Sequence, residues 1–157
     1  MRIELSPEEV VEIAVRLEEM GEKFYRGKAE ILPQDAREIF LHLAEEEIKH
    51  KETFQKLLKT LSPSRESLPD TYIGFLKSFV DRLIFPGGKL NLELPQVKDT
   101  ISALEFAIRR ELESILYYQE IKPFISSKHH STLDWIINEE KRHFEILSKL
   151  KEKEENK

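Results

Sequence analysis

The tetrad Glu47-Ile48-Lys49-His50 returns as Glu140-Lys141-Arg142-His143, 93 residues further along the chain. Residues three apart share one face of an α-helix, so each Glu and His either point together into water or converge on one buried partner. A single tetrad of this kind in a charged helical protein is usually a solvated coincidence. The repeat extends well beyond the four residues, however. Phe40, Leu43, Glu47, His50, Phe54 and Leu57 map onto Leu133, Ile136, Glu140, His143, Leu147 and Leu150. Upstream in each half, Val11, Ala14, Glu18, Gly21 and Tyr25 map onto Leu104, Ala107, Glu111, Ser114 and Tyr118. The 3-4-3-4 spacing lays each set along one helical stripe, and apolar or small residues flank every acid. These stripes face a core.

Punctuation marks the helices. Ser6-Pro7-Glu8-Glu9 offers an N-cap, a proline for the first turn and the Glu of a capping box, predicting a first helix from Pro7 to about Glu30. Pro33 breaks the chain before a second helix, Gln34 to Leu61. A third runs from Thr100 to Lys122, ended by Pro123, and a fourth from Ser127 to Lys151. Residues 152–157 read as a frayed polar tail. Between the second and third helices lie residues 62–99, far more than an antiparallel turn needs. Returning along a helix of about 25 residues takes at least ~11 extended residues, so this stretch crosses the bundle with room to spare. It contains a short amphipathic helix, YIGFLKSFVDRLIF, closed by Pro86-Gly87-Gly88. The expected fold is an all-α four-helix bundle of up-down-down-up order with one long crossover.

A length of 157 residues suits one domain, 1–157, able to bury a core without disulfides. Cysteine is absent, which excludes thiol catalysis and thiolate metal ligands. No apolar run approaches 18 residues and the first residues are charged, so the reading is of a cytoplasmic protein without a membrane span or signal peptide. A net charge of −5 and a pI near 5.6 provide no basic footprint for nucleic acid and disfavour an anionic membrane surface.

Four carboxylates gathered in an apolar core repel one another, and uncompensated buried charge costs several kcal/mol per ion. The stripes carry no Lys or Arg at the Glu positions. Two divalent cations would balance four carboxylates with both histidines neutral. One Glu from each of two helices and a Glu-x-x-His from each of the other two is the donor set of di-iron and di-manganese bundles. The metal ligands are then Glu18, Glu47, His50, Glu111, Glu140 and His143. Oxygen and imidazole donors without sulfur suit iron or manganese, with zinc as another occupant. Tyr25 and Tyr118, two turns beyond the single glutamates, are placed to donate phenolic hydrogen bonds to ligand carboxylates, with plain core packing as the competing role. His42, His129 and His130 lie off the stripes and read as surface or capping residues. The clusters KEKEENK and RRELE read as solvated helix faces.

At these residues the sequence resembles the ferritin-like di-iron carboxylate superfamily, and within it the rubrerythrin-type proteins. EEMGEKFY and ELESILYY are similar to that family's first and third ligand helices, and EEEIKH and NEEKRH to its second and fourth. Four departures stand out. Full rubrerythrins carry a cysteine-rich rubredoxin-like domain, for which this chain has no cysteine. They tend to place a further Glu where Ser114 stands. The haem-binding methionine of some ferritins is replaced by Ile48, and no fifth ferritin helix follows the fourth.

The resemblance implies a non-haem di-iron oxidoreductase that reacts Fe(II) with O₂ or peroxide, in oxidative-stress defence or iron handling, reduced by an external electron donor. Two alternatives of other classes stay open: iron binding or storage without turnover, and a bundle whose metals are structural. Tyr72, Phe75, Leu76, Phe79, Val80 and Leu83 cover one side of the bundle in the simpler reading. Pairing of two chains through that face is the competing one, and a homodimer is the expected assembly.

Overall fold

The computed structural model describes residues 6–61, 69–83 and 97–157. Within them the regular structure is helical: α1 (Pro7–Ala29), α2 (Gln34–Thr60), α3 (Asp70–Leu83), α4 (Thr100–Ile121) and α5 (His130–Glu155). Single 3₁₀ turns occur at Lys122–Phe124 and Ser127–His129.

Local chemistry sets the boundaries. The Glu9 amide donates to Ser6 Oγ at 3.1 Å and the Ser6 amide to Glu9 Oε2 at 2.8 Å, closing a capping box at the start of α1. Asp99 caps α4 in the same way, through the Ser102 amide at 2.8 Å. Between α1 and α2 the guanidinium of Arg37 donates to the carbonyls of Ala29 and Leu32 at 3.1 and 3.2 Å, satisfying orphan acceptors at the end of α1 and fixing the turn. His130 Nε2 lies 2.8 Å from the carbonyls of Lys122 and Ile125, so it ties the α4–α5 connection rather than facing solvent freely.

Ion pairs and polar contacts fix the helix directions. Arg26 meets Glu45 while Lys51 meets Glu19, so α1 and α2 are antiparallel. Lys122 with Asp134 and Lys151 with Glu105 make α4 and α5 antiparallel. Across the hairpins, Tyr117 donates to the Val10 carbonyl while Tyr25 reaches Glu111, which runs α4 opposite to α1. In order, α1 runs up, α2 down, α4 down and α5 up.

The core has two apolar parts. One gathers Val10, Leu17, Phe54, Tyr117, Tyr118 and Ile136. The other gathers Phe24, Tyr25, Phe40, Leu43, Leu104 and Leu147. Burying a large apolar side chain contributes about 1.5–3 kcal/mol, so these clusters hold the bundle together around the layer of buried acids between them.

The crossover helix is present as α3. Leu76 is fully buried in the first cluster, the Tyr72 ring stacks on Phe124 at 5.3 Å, and Phe79 stacks on Tyr117 at 5.8 Å. Phe75 points outward. The side chains of Val80 and Leu83 and the expected stop at Pro86-Gly87-Gly88 lie outside the described residues.

The carboxyl terminus differs from expectation. The expected polar tail continues α5 to Glu155, because Glu and Lys are good helix formers and Lys151 pairs one turn on with Glu155 at 3.0 Å. At the other end, residues 127–129 form a 3₁₀ turn before α5 begins at His130.

Candidate metal centre

The structure brings Glu18 of α1, Glu47 and His50 of α2, Glu111 of α4, and Glu140 and His143 of α5 into one buried layer. Their donor atoms form two quartets, each within 4.8 Å: Glu18, Glu47, His50 and Glu140, and Glu47, Glu111, Glu140 and His143. Glu47 and Glu140 belong to both. His50 Nδ1 lies 3.2 Å from Glu140 Oε1 and 3.5 Å from Glu18 Oε2. His143 Nδ1 lies 3.0 Å from Glu140 Oε2, 3.4 Å from Glu47 Oε1 and 3.8 Å from Glu111 Oε1. Glu140 thus turns one oxygen toward each histidine. The two imidazole rings stack at 5.5 Å.

The tyrosines act across the bundle. Tyr25 on α1 donates its hydroxyl to Glu111 on α4, and Tyr118 on α4 donates to Glu18 on α1. Each hydrogen bond holds a carboxylate that belongs to only one quartet.

Many polar atoms here have no hydrogen-bond partner. Glu18 Oε2, Glu47 Oε1, both Glu140 oxygens, and Nδ1 of both histidines are buried and unsatisfied, their mutual approaches lacking hydrogen-bond geometry. A native core tolerates few such atoms, each costing about 1–3 kcal/mol, and here they converge. Carboxylate oxygens and imidazole nitrogens aimed at two shared points fit a pair of divalent ions. A further trio, Glu46, Glu139 and His143, is half-exposed, and Glu46 and Glu139 are already paired with Lys49 and Arg142.

The protons of the layer reflect the same crowding. Burial and the neighbouring carboxylates push Glu18 and Glu111 well above the usual carboxylate range. Burial works against the charged forms of the histidines, yet the carboxylates beside them outweigh it and raise His50 to about 11 and His143 to about 9. Glu140, desolvated but faced by both histidines, is held well below the usual range. Bound cations would displace protons from this layer.

One participant was not legible as such. Arg110, within the RRELE cluster expected to be solvated, is only 7% exposed. It donates to the Leu17 carbonyl at 2.5 Å and brings Nη1 to 3.9 Å from Glu47 Oε2. The buried layer therefore contains a cation of its own. Gly21 makes room for it: a Cβ there would stand 2.4 Å from both Arg110 Nη1 and Glu47 Oε2. The available signal was the repeat, which sets Arg110 opposite Leu17, a buried position. Of the other histidines, His42 is exposed and His129 half-buried. Trp135, at the repeat position of His42, is 47% exposed yet lies edge-on to His50 at 5.7 Å.

Known proteins agree with this architecture. A crystal structure from Thermotoga maritima, described as that of a ferritin-like diiron-carboxylate protein, superposes with a TM-score of 0.69 at 27% identity, over 97% of this chain and 98% of that one. No curated protein matches the chain. Among the described residues, no helix is long and apolar enough to cross a membrane. The family model for rubrerythrin matches residues 9–151, a span that contains all six acid and histidine donors. The chain belongs to the rubrerythrin family, with a ferritin-like fold and a buried carboxylate and histidine cluster that fits a di-iron centre.

Proposed function

We propose that the protein is a non-haem di-iron oxidoreductase that couples Fe(II) oxidation to reduction of peroxide or O₂. The observation that carries this reading is the sharing of Glu47 and Glu140 between two buried quartets, which sets two cation positions side by side. With ferrous iron bound, the centre would supply two electrons, which one peroxide molecule needs, with two protons, to become two waters.

The chain's residues do the rest. Glu18 with His50 and Glu111 with His143 would each hold one ion, and Glu140, with an oxygen toward each histidine, would serve both. Tyr118 and Tyr25 keep the outer carboxylates oriented through their hydroxyl protons. The apolar clusters on either side exclude bulk water from the layer. With no cysteine in the chain, electrons to restore the ferrous state come from an external donor. Manganese is the competing occupant for the same donors.

Anaerobic loading should bind about two Fe(II) per chain. Peroxide should then produce the near-ultraviolet absorption of paired ferric iron, and an added reductant should reverse it. Binding of one iron per chain or none, or no optical change on peroxide, would sink the proposal.

A further inference from the structure

Within the di-iron reading, the two halves of the site should offer equivalent cation positions, since each supplies one outer Glu, one His and one shared Glu. Glu140 meets that expectation, with Oε1 toward His50 at 3.2 Å and Oε2 toward His143 at 3.0 Å. Its repeat partner Glu47 does not. Glu47 turns Oε1 toward His143 at 3.4 Å and has Oε2 3.9 Å from Arg110, and it stays within 4.8 Å of His50 without the close approach that Glu140 makes to both histidines.

Three features keep it there. Arg110 is anchored at its far side by donating to the Leu17 carbonyl, so the guanidinium is not free to swing away. Its Nη1 is buried without a hydrogen-bond partner, which leaves Glu47 as the nearest acid to answer it. The missing side chain of Gly21 creates the notch in which Arg110 and Glu47 meet. At 3.9 Å the contact is a charge pair rather than a hydrogen bond, and in a dry layer such a pair is far stronger than in water. The repeat partner of Arg110 is Leu17, so Glu140 has no such competitor.

We propose that Arg110 is a positioning residue that restrains Glu47 as a ligand of the His143 position and makes the two cation positions unequal. The His143 position keeps four protein donors, Glu47, Glu111, Glu140 and His143. The His50 position keeps Glu18, His50 and Glu140 in close approach, with Glu47 within 4.8 Å but drawn toward Arg110, and is the weaker and more open of the two. The guanidinium's own repulsion opposes this ordering, because Glu47 and Glu111 are the acids it feels most. Withdrawing a carboxylate removes a full negative charge from direct contact with the cation, which outweighs a positive charge one side chain further away.

The test is an anaerobic Co²⁺ titration of the full chain, followed by visible ligand-field absorption and by equilibrium dialysis. Wild-type protein should bind two ions with affinities separated by roughly tenfold or more, the weaker event disappearing in His50→Ala and the tighter in His143→Ala. Arg110→Leu, which installs the residue of the other half, should bring the two affinities within about threefold of each other by strengthening the weaker one. Arg110→Gln retains a donor for the Leu17 carbonyl without the charge, and should do the same if the leucine variant fails to fold. Two equal binding events in wild type would overturn the inference and leave the di-iron reading intact. So would a separation that persists in whichever of the two Arg110 variants folds, or loss of the tighter event in His50→Ala. Failure of the wild type to bind a second ion under any condition would remove the di-iron reading itself.

Discussion

The α1–α2 hairpin and the α4–α5 hairpin perform the same construction with different fidelity at different positions. Where they match most closely, the contacts are reciprocal: Tyr25 donates to Glu111 and Tyr118 to Glu18. Among the pairs that differ are Leu17 with Arg110, Gly21 with Ser114, and His42 with Trp135. All six proposed ligands fall in the matched set. Arg110, Gly21 and Trp135 each lie beside a ligand, which is where a site can be biased without being dismantled.

The largest expected effects test the matched set. Glu140→Ala, which removes the carboxylate with an oxygen toward each histidine, should lower bound iron from about two to near zero, and Glu47→Ala should remove at least the ion of the His143 position. Glu18→Ala or Glu111→Ala should leave one ion bound. Metal analysis of the purified variants distinguishes the two classes. Glu45→Ala is the control: Glu45 is exposed and, among the described residues, pairs with Arg26 alone, so its removal should change neither metal content nor melting temperature. Equal losses from Glu45, Glu47 and Glu140 variants would show the helical phase to be wrong.

A second comparison sets Gly21 against Ser114. Alanine normally stabilises a helix relative to glycine by about 1 kcal/mol, but at Gly21 the new methyl would drive Arg110 and Glu47 apart. A net destabilisation of about 1–3 kcal/mol is expected for Gly21→Ala, and a near-neutral result for Ser114→Ala, by urea denaturation. Equal effects would mean that the notch is not specific to Arg110.

Third, Tyr25→Phe and Tyr118→Phe each remove one hydrogen bond to an outer carboxylate. Each should weaken one cation position by roughly tenfold and spare the other, as read by competition with a chelator. Weakening of both positions by either variant would argue that the tyrosines act on the layer as a whole.

The smallest effect concerns protons. A histidine whose folded pKa is raised stabilises the fold fully below its unfolded value of about 6.5, and that stabilisation is lost as pH rises through the folded value. With His143 at about 9 and His50 at about 11, metal-free protein should lose melting temperature as pH rises from about 6.5 toward 11, the His143 half giving way first. Metal affinity should rise over the same range, because ligation requires the proton to leave. A melting temperature that climbs with pH in metal-free protein would contradict the assignment.

Much of this was legible because two independent periodicities coincide. The 3-4 spacing fixed which face of each helix is buried, and the 93-residue offset distinguished Glu47 from Glu45 and Glu46 beside it. Helix starts were readable where a side chain caps them, as at Ser6. The end of α5 was not, since a run of Glu and Lys describes a solvated helix as well as a frayed tail. Arg110 escaped notice for a related reason. Its position is adjacent to a ligand rather than on the ligand stripe, and its burial depends on Gly21, a residue 89 positions away whose relevance is the absence of a side chain. The α3 helix was legible as an amphipathic stretch, and Tyr72, Leu76 and Phe79 account for its inward side.

The four-residue link between α1 and α2 and the long crossover before α4 also bear on the order of folding. Each hairpin can form from contacts near in sequence, but both quartets draw donors from both hairpins, so neither hairpin alone supplies a complete quartet. Cation binding then belongs to the last event, the docking of one hairpin on the other. Ions should therefore slow the opening of the finished bundle far more than they speed its assembly, a distinction that stopped-flow unfolding with and without metal would resolve. The centre then acts as a kinetic latch, closed only once the two halves of the chain have met.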